Sequence, residues 1–299
     1  MNQTQILNEL FSIRDWLRYA VSRFESSDIF FGHGTSNAYD EAVWLIFGFL
    51  HLPHDTIENF LDAHITSKEK KDLLFLIEKR INEKIPTAYL LNEAWLKDYK
   101  FYVDERVIVP RSLIAESLSE NLYPWIDDPE TIFSALDLCT GSGCLGIMMA
   151  HSFQNAMIDL VDLSEKALQV AQINVDHYGL YERIELIQSD LFHALEGKKY
   201  DLIISNPPYV NQTSVNSFPA EFLKEPSIAL GSGDEGLDHT IRIIHEAKHH
   251  LNDKGMLIVE IGHNKEALLK NFPGLQFQWL DVSLGNDFVF MLQKSQLPN

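Results

Sequence analysis

A chain of 299 residues that is 45% hydrophobic and 22% charged can bury one large core or two smaller ones, which argues against a disordered chain. Its formal net charge of -19, from 24 basic and 43 acidic residues, opposes binding to a phosphate backbone, because such binding needs Lys and Arg to displace condensed counterions. Its 2 cysteines, Cys139 and Cys144, share one glycine-rich turn without a CxxC pair or a His/Cys ligand spacing, so neither a disulfide framework nor a metal site is implied.

The N-terminal residues show no basic segment followed by an apolar run, and the longest apolar stretch, at 42–50, is too short for a bilayer. The expectation is a soluble, cytoplasmic protein with no membrane partner. Ile6, Leu7, Leu10, Ile13, Leu17, Ala20, Val21 and Phe24 recur at three- and four-residue intervals, which predicts one helix over this stretch. A second helix is predicted from Ser36-Asn37 towards Pro53. Thr66 with Glu69 makes a capping box ahead of a third, apolar-periodic over 73–81 and closed by Pro86. Between 88 and 110 the pattern turns aromatic and β-branched around Lys97-Asp98, as in a hairpin. The division read from these patterns is a helical domain over 1–87, a hairpin linker over 88–110 and a third region over 111–299.

In that third region, apolar strands at 134–138, 156–161, 184–187, 202–205 and 256–261 alternate with helical stretches. This is the pattern of an α/β fold with a Rossmann-like doubly wound sheet. Segments 277–282 and 287–292, separated by Ser283-Leu284-Gly285-Asn286, predict a C-terminal antiparallel hairpin.

The first of these strands runs into Asp137-Leu138-Cys139-Thr140-Gly141-Ser142-Gly143-Cys144-Leu145-Gly146. Glycines there let the backbone approach a ligand, and the next helix offers its N-terminal N–H groups. The G-x-G-x-x-G within it fits a dinucleotide-binding dehydrogenase equally well. Asp162, at the end of the second strand, is placed to accept hydrogen bonds from both ribose hydroxyls, and Asp190, followed by Leu191, from an adenine amine. An adenosine-type ligand is therefore expected against Asp137, Cys139, Thr140, Gly141, Ser142, Gly143, Asp162, Asp190, Leu191 and Asn206, with the reaction still open.

Asn206-Pro207-Pro208-Tyr209, after the fourth strand, narrows the reaction. Two consecutive prolines fix the backbone, so that the Asn206 oxygen and the Pro207 carbonyl can both accept from one NH2 group, on which Tyr209 can stack. That arrangement suits methylation of a planar amide or exocyclic amine by S-adenosylmethionine, which leaves S-adenosylhomocysteine. Asn206, Pro207 and Tyr209 are the candidate catalytic residues, and Pro208 lies with them on the substrate side. A DNA amino-methyltransferase uses the same turn. The acidity of the chain and the lack of an evident base-flipping domain speak against direct DNA binding and for a basic protein partner. A ribosome-assembly factor with a dead cofactor site is opposed by intact Gly141, Gly143, Asp162, Asn206 and Tyr209.

The stretch Asp137 to Gly146 together with Asn206 to Tyr209 resembles the HemK/Prm family of glutamine N5-methyltransferases, which modify release factors and ribosomal proteins. The likeness covers nearly the whole chain. Phe31-Gly32-His33-Gly34-Thr35-Ser36-Asn37, Val109-Pro110-Arg111-Ser112, the two cysteines and Phe222-Leu223-Lys224-Glu225-Pro226 resemble the branch acting on the third protein of the large ribosomal subunit. The resemblance implies a class I methyltransferase domain, an N-terminal domain that recognises the protein substrate, Arg111 on the substrate side, and a glutamine of that basic ribosomal protein as acceptor. Modification of release factors is the alternative within the family. The chain departs from the pattern at Leu113, where the branch usually has proline, and at Cys139, where the generic methyltransferase loop has glycine.

Overall fold

The computed structural model describes residues 2–211 and 217–298. The chain separates into two compact units, Met1–Glu93 with Pro219–Lys224, and Ala94–Phe218 with Glu225–Asn299.

The first unit is helical. The stripe predicted as one helix over 6–24 forms two, α1 (Gln3–Glu9) and α2 (Ile13–Glu25). The break is made by Ser12, whose hydroxyl accepts from Asp15 N while the Asp15 carboxylate accepts from Ser12 N and Phe11 N. This local capping box overrides the continuous periodicity. Then come α3 (Ala38–Phe49), capped by Asn37, and α4 (Ser67–Asn82), which begins with the predicted Thr66–Glu69 box. The short α5 (Thr87–Leu91) occupies the start of the stretch read as hairpin. Trp16, Phe24, Phe47, Leu73 and Ile77 fill the core of this unit.

A fully buried ion cluster closes it. Arg80 donates to Glu41 at 2.6 Å, to Glu221 at 3.0 Å and to the Phe30 carbonyl at 2.8 Å. Thr87 donates to Glu41, and Phe30 N to Glu221. Buried charges are tolerated when paired and hydrogen-bonded in this way. Glu221 thereby ties Pro219–Lys224 to the helical unit, although a long run of the other unit, Ala94–Phe218, precedes it in the chain. His33 packs its ring 4.4 Å from that of Phe222, so two of the motifs that carry the family resemblance meet here.

The second unit opens with a two-stranded hairpin, β1 (Ala94–Leu96) and β2 (Tyr99–Phe101), turning at Lys97-Asp98 as predicted. Short α6 (Ile114–Leu118) follows. The main sheet is formed by β3 (Ser134–Leu138), β4 (Met157–Asp162), β5 (Ile184–Gln188), β6 (Tyr200–Ser205), β7 (Leu251–Glu260), β8 (Gln278–Trp279) and β9 (Val289–Gln293) in the order β5-β4-β3-β6-β7-β9-β8. Strands β3 to β7 are parallel, and β9 runs antiparallel to both β7 and β8. Helices α7 (Cys144–Ser152), α8 (Glu165–His177), α9 (Asp238–His250) and α10 (Lys265–Asn271) lie in the β3–β4, β4–β5, β6–β7 and β7–β8 connections. β7 starts well before its apolar run. A register irregularity pairs Tyr200 with Leu251, so that the polar Asn252-Asp253-Lys254, which reads as a turn, continues the strand. Among the described residues no helix is long and apolar enough to cross a membrane.

Candidate active site

The strand order reverses between β3 and β6, and open α/β sheets bind ligands in the crevice at such a point. Register puts Leu138 beside both Val161 and Ser205, and Asp162 beside Gln188. The residues that follow each strand, Cys139, Asn206 and Ser189, therefore emerge at one carboxyl edge together with Asp162. They line a crevice, partly open to solvent, that also takes in Gly141, Asp190, Leu191 and Pro208.

The three glycines of the G-x-G-x-x-G loop have different tasks. A Cβ on Gly141, at φ +56°, meets no atom within 4 Å, so the space above this cavity-lining glycine is open. A Cβ on Gly146 would fall 1.9 Å from Leu160 Cδ2, so that position is fixed by the packing of α7 onto β4. Gly143 combines φ +81° with a tight approach to Ala171 and Leu160. Two non-glycine residues, Cys139 at φ +60° and Leu191 at φ +50°, also hold left-handed backbone at the cavity wall. Each such residue costs about 1–3 kcal/mol, strain of the kind that concentrates at functional sites.

Asp162 is nearly buried. Its Oδ2 accepts from Gly141 N and its Oδ1 from Ser164 N, both at 2.9 Å. Burial raises its carboxyl above the usual range, with those N–H groups pulling the other way. Each oxygen keeps a further lone pair with which to receive a hydroxyl. Asp190 lies at the rim, paired with Arg242 at 2.9 Å. Asn206 is half-buried, and among the described residues nothing hydrogen-bonds its side-chain amide. The cavity therefore presents a carboxylate, a bare glycine and an uncommitted amide, which fit a ribose, an adenosyl backbone approach and an incoming NH2 group.

Residues 119–237 match the family model described as a methyltransferase small domain. The chain is 55% identical, over 98% of its length and 98% of the relative's, to the ribosomal protein uL3 glutamine methyltransferase of Neisseria gonorrhoeae. It belongs to the ribosomal protein uL3 glutamine methyltransferase family. Members from Burkholderia pseudomallei, at 50% identity over 96% of each chain, and from Francisella tularensis, at 41% over 99% of this chain and 94% of that one, carry the same description. The catalytic domain of hMettl16, solved in complex with a hairpin of the MAT2A 3'UTR, shares the fold alone: TM-score 0.51, 15% identity, 75% of this chain and 80% of that one. The chain is a methyltransferase of the class I fold.

Within this family member, several residues expected at the ligand stand behind the loop instead. Asp137 is buried, and its Oδ2 accepts from Thr140 Oγ1 at 2.6 Å and from Gly146 N at 3.0 Å. The Ser142 carbonyl accepts from Asn174, which also bonds Tyr102. Asp137, Thr140, Ser142 and Gly143 shape the loop without lining the cavity, and Pro207 and Tyr209 also lie outside its lining. Arg111 is engaged by Glu225 in a bidentate pair, at 2.5 and 2.8 Å, and is not part of the wall either. The walls also contain Pro226, from a motif that carries the resemblance, and residues that the sequence patterns did not single out: Arg106 to Ile108, Ile228, Ala229 and His239. His239 Nδ1 is 2.8 Å from Ser232 Oγ, and burial lowers its imidazole. Arg106 to Ile108 carry no periodicity or glycine signature from which their place could be read.

Burial raises the Asp137 carboxyl from 3.8 to about 7. Between those values the folded chain keeps a proton that the unfolded chain has lost, so Asp137 subtracts stability as pH rises through this window. In the variant D137N the side-chain amide can accept both bonds through its one oxygen and never ionises. The Tm of D137N relative to wild type is expected to be higher at pH 8 than at pH 5 by roughly 5–10 °C, since about two of the pH units over which wild type loses stability lie between those conditions. Equal differences at both pH values would show that this carboxyl titrates normally.

Proposed function

We propose that the chain transfers a methyl group from S-adenosylmethionine to the side-chain amide nitrogen of a glutamine in ribosomal protein uL3. The observation that carries the reading is the position of Asn206 and Pro208 in the wall of the same cavity as Asp162, Gly141 and Asp190. Acceptor and donor sites then share one space. The family supports the substrate, since relatives over nearly the full length are described as acting on uL3. The net charge of -19 suits a basic ribosomal protein.

The cavity residues have separable roles. Asp162 would hold the ribose hydroxyls, with Gly141 allowing close backbone approach, and Asp190 and Leu191 would border the adenine. The bound donor supplies an electrophilic methyl on a sulfonium. The Asn206 oxygen and the Pro207 carbonyl accept the two hydrogens of the substrate amide, which turns its delocalised lone pair towards that methyl, while Tyr209 supports the planar group. The rate comes mainly from positioning. Methylation makes the nitrogen acidic, so its proton can leave to water or pass by way of Asn206, and no strong base is required. The helical unit is assigned to recognition of the protein substrate, in a cytoplasmic setting where new ribosomal proteins are available.

Initial rates of transfer from labelled S-adenosylmethionine, with purified uL3, a release factor and an oligonucleotide as competing acceptors, test the assignment. uL3 should be preferred by a wide margin. Preference for the release factor would move the chain to the other branch of substrates, and labelled oligonucleotide would overturn the glutamine reading.

A further inference from the structure

Tyr209 is fixed at three separate points by one short run of chain, Glu260-Ile261-Gly262-His263-Asn264, at and beyond the end of β7. Its hydroxyl donates to Glu260 Oε1 at 3.3 Å. Its ring lies against Gly262, at φ +56°, where a Cβ would stand 2.7 Å from both Cδ2 and Cε2 of the tyrosine and could not be accommodated. Its carbonyl accepts from Asn264 Nδ2 at 2.7 Å. A fourth restraint comes from Gly236, where a Cβ would fall 2.3 Å from the same carbonyl oxygen.

Glu260 is 2% exposed, and its second oxygen accepts from Ser112 Oγ at 2.6 Å and from Leu113 N at 2.8 Å. Among the described residues no basic side chain forms an ion pair with it. Burying a carboxylate with no cation is a costly way to hold up a turn, since hydroxyls or amides would do so without the desolvation. Three donors converge on this carboxylate, and one of them is the tyrosine of the Asn-Pro-Pro-Tyr turn. Burial raises the Tyr209 phenol, which keeps its proton and stays a donor.

We propose that Glu260 is a positioning residue for methyl transfer, setting the tilt and depth of the Tyr209 ring against the acceptor amide while Gly262 and Asn264 fix its face and backbone. The same carboxylate ties Ser112 and Leu113 to the tyrosine, so one group holds the Tyr209 hydroxyl against the start of α6. The inference rests on the reading of Asn206 to Tyr209 as the acceptor site.

Glu260→Gln is the direct probe. The amide oxygen can keep the Ser112 and Leu113 bonds, while its NH2 faces the Tyr209 hydroxyl and reverses that bond. The rate of methyl transfer to uL3, kcat, should fall about tenfold, the effect of one hydrogen bond. KM for uL3, S-adenosylmethionine affinity by calorimetry and Tm should stay close to wild type. In a Tyr209→Phe background, Glu260→Gln should cost nothing more, because the group through which it acts is gone. The same fall in both backgrounds, or no fall in a chain whose activity Tyr209→Phe does reduce, would overturn the positioning role while leaving the proposed reaction intact. A wild-type chain that methylates no glutamine overturns both. Should Glu260→Gln melt far below wild type, Asn264→Ala serves instead, with the same lowered kcat and the same loss of effect in the Tyr209→Phe background expected, and additivity counting against the cradle.

Discussion

Replacement of Asn206 by alanine is expected to slow methyl transfer about a hundredfold or more while leaving affinity for S-adenosylmethionine within a few-fold of wild type. Asn206 follows β6 at the switch point of the sheet, lines the cavity and has no hydrogen-bond partner on its side chain among the described residues. Little of the fold depends on that side chain, so its loss should register in the reaction rather than in stability. The acceptor amide would retain only the Pro207 carbonyl, leaving it free to rotate away from the attacking geometry. Asn206→Asp is the sharper companion. It keeps the shape and an acceptor oxygen but places a negative charge near a sulfonium whose positive charge disperses in the transition state, so donor binding should hold or tighten while the rate falls. Near wild-type turnover by Asn206→Ala on uL3 would mean that the amide is held elsewhere and that the turn is structural.

Asp162→Ala should weaken donor binding by about ten- to a hundredfold, as expected for one or two charge-assisted bonds of about 1.5–3 kcal/mol, part of each offset by water. Loss of the carboxylate also releases Gly141 N and Ser164 N, so circular dichroism and Tm must accompany the calorimetry. Asp162→Asn, which keeps an acceptor and the shape, should fall between alanine and wild type. Because burial raises the Asp162 carboxyl and its ionised form is the better acceptor for hydroxyls, wild-type affinity should decline on acidification at a higher pH than an ordinary aspartate would give. Unchanged affinity in Asp162→Ala would remove the ribose assignment, and binding of NADH with comparable strength would favour a dehydrogenase.

Much of this architecture was legible because its causes are local. The Thr66–Glu69 box, the Lys97-Asp98 turn and the apolar strands each carry their signal within a few residues, and the parallel sheet with its final antiparallel pair follows from their alternation. Gly141, Asp162, Asn206 and Pro208 could be placed at one edge because strand ends in a doubly wound sheet share it. What escaped depends on partners far along the chain or on a single local contest. Ser12 breaks a stripe that periodicity alone runs through, and Pro219–Lys224 joins the helical unit through Glu221 and Arg80. Cavity-wall residues such as Arg106 and Val107 sit in irregular segments. Asp137 shows the opposite limit: its type and place suggested ligand contact, but its carboxylate is occupied by Thr140 and Gly146. Glu260 terminates an apolar strand, and nothing in its neighbours announces that it faces Tyr209 and Ser112.

Tandem mass spectrometry of uL3, incubated with S-adenosylmethionine and either wild-type chain or Asn206→Ala, tests the central claim most directly. The account predicts one added methyl group on the side-chain nitrogen of a single glutamine, present with the wild type and absent with the variant. A methyl group on lysine, arginine or a chain terminus, or one that appears equally with Asn206→Ala, would contradict it.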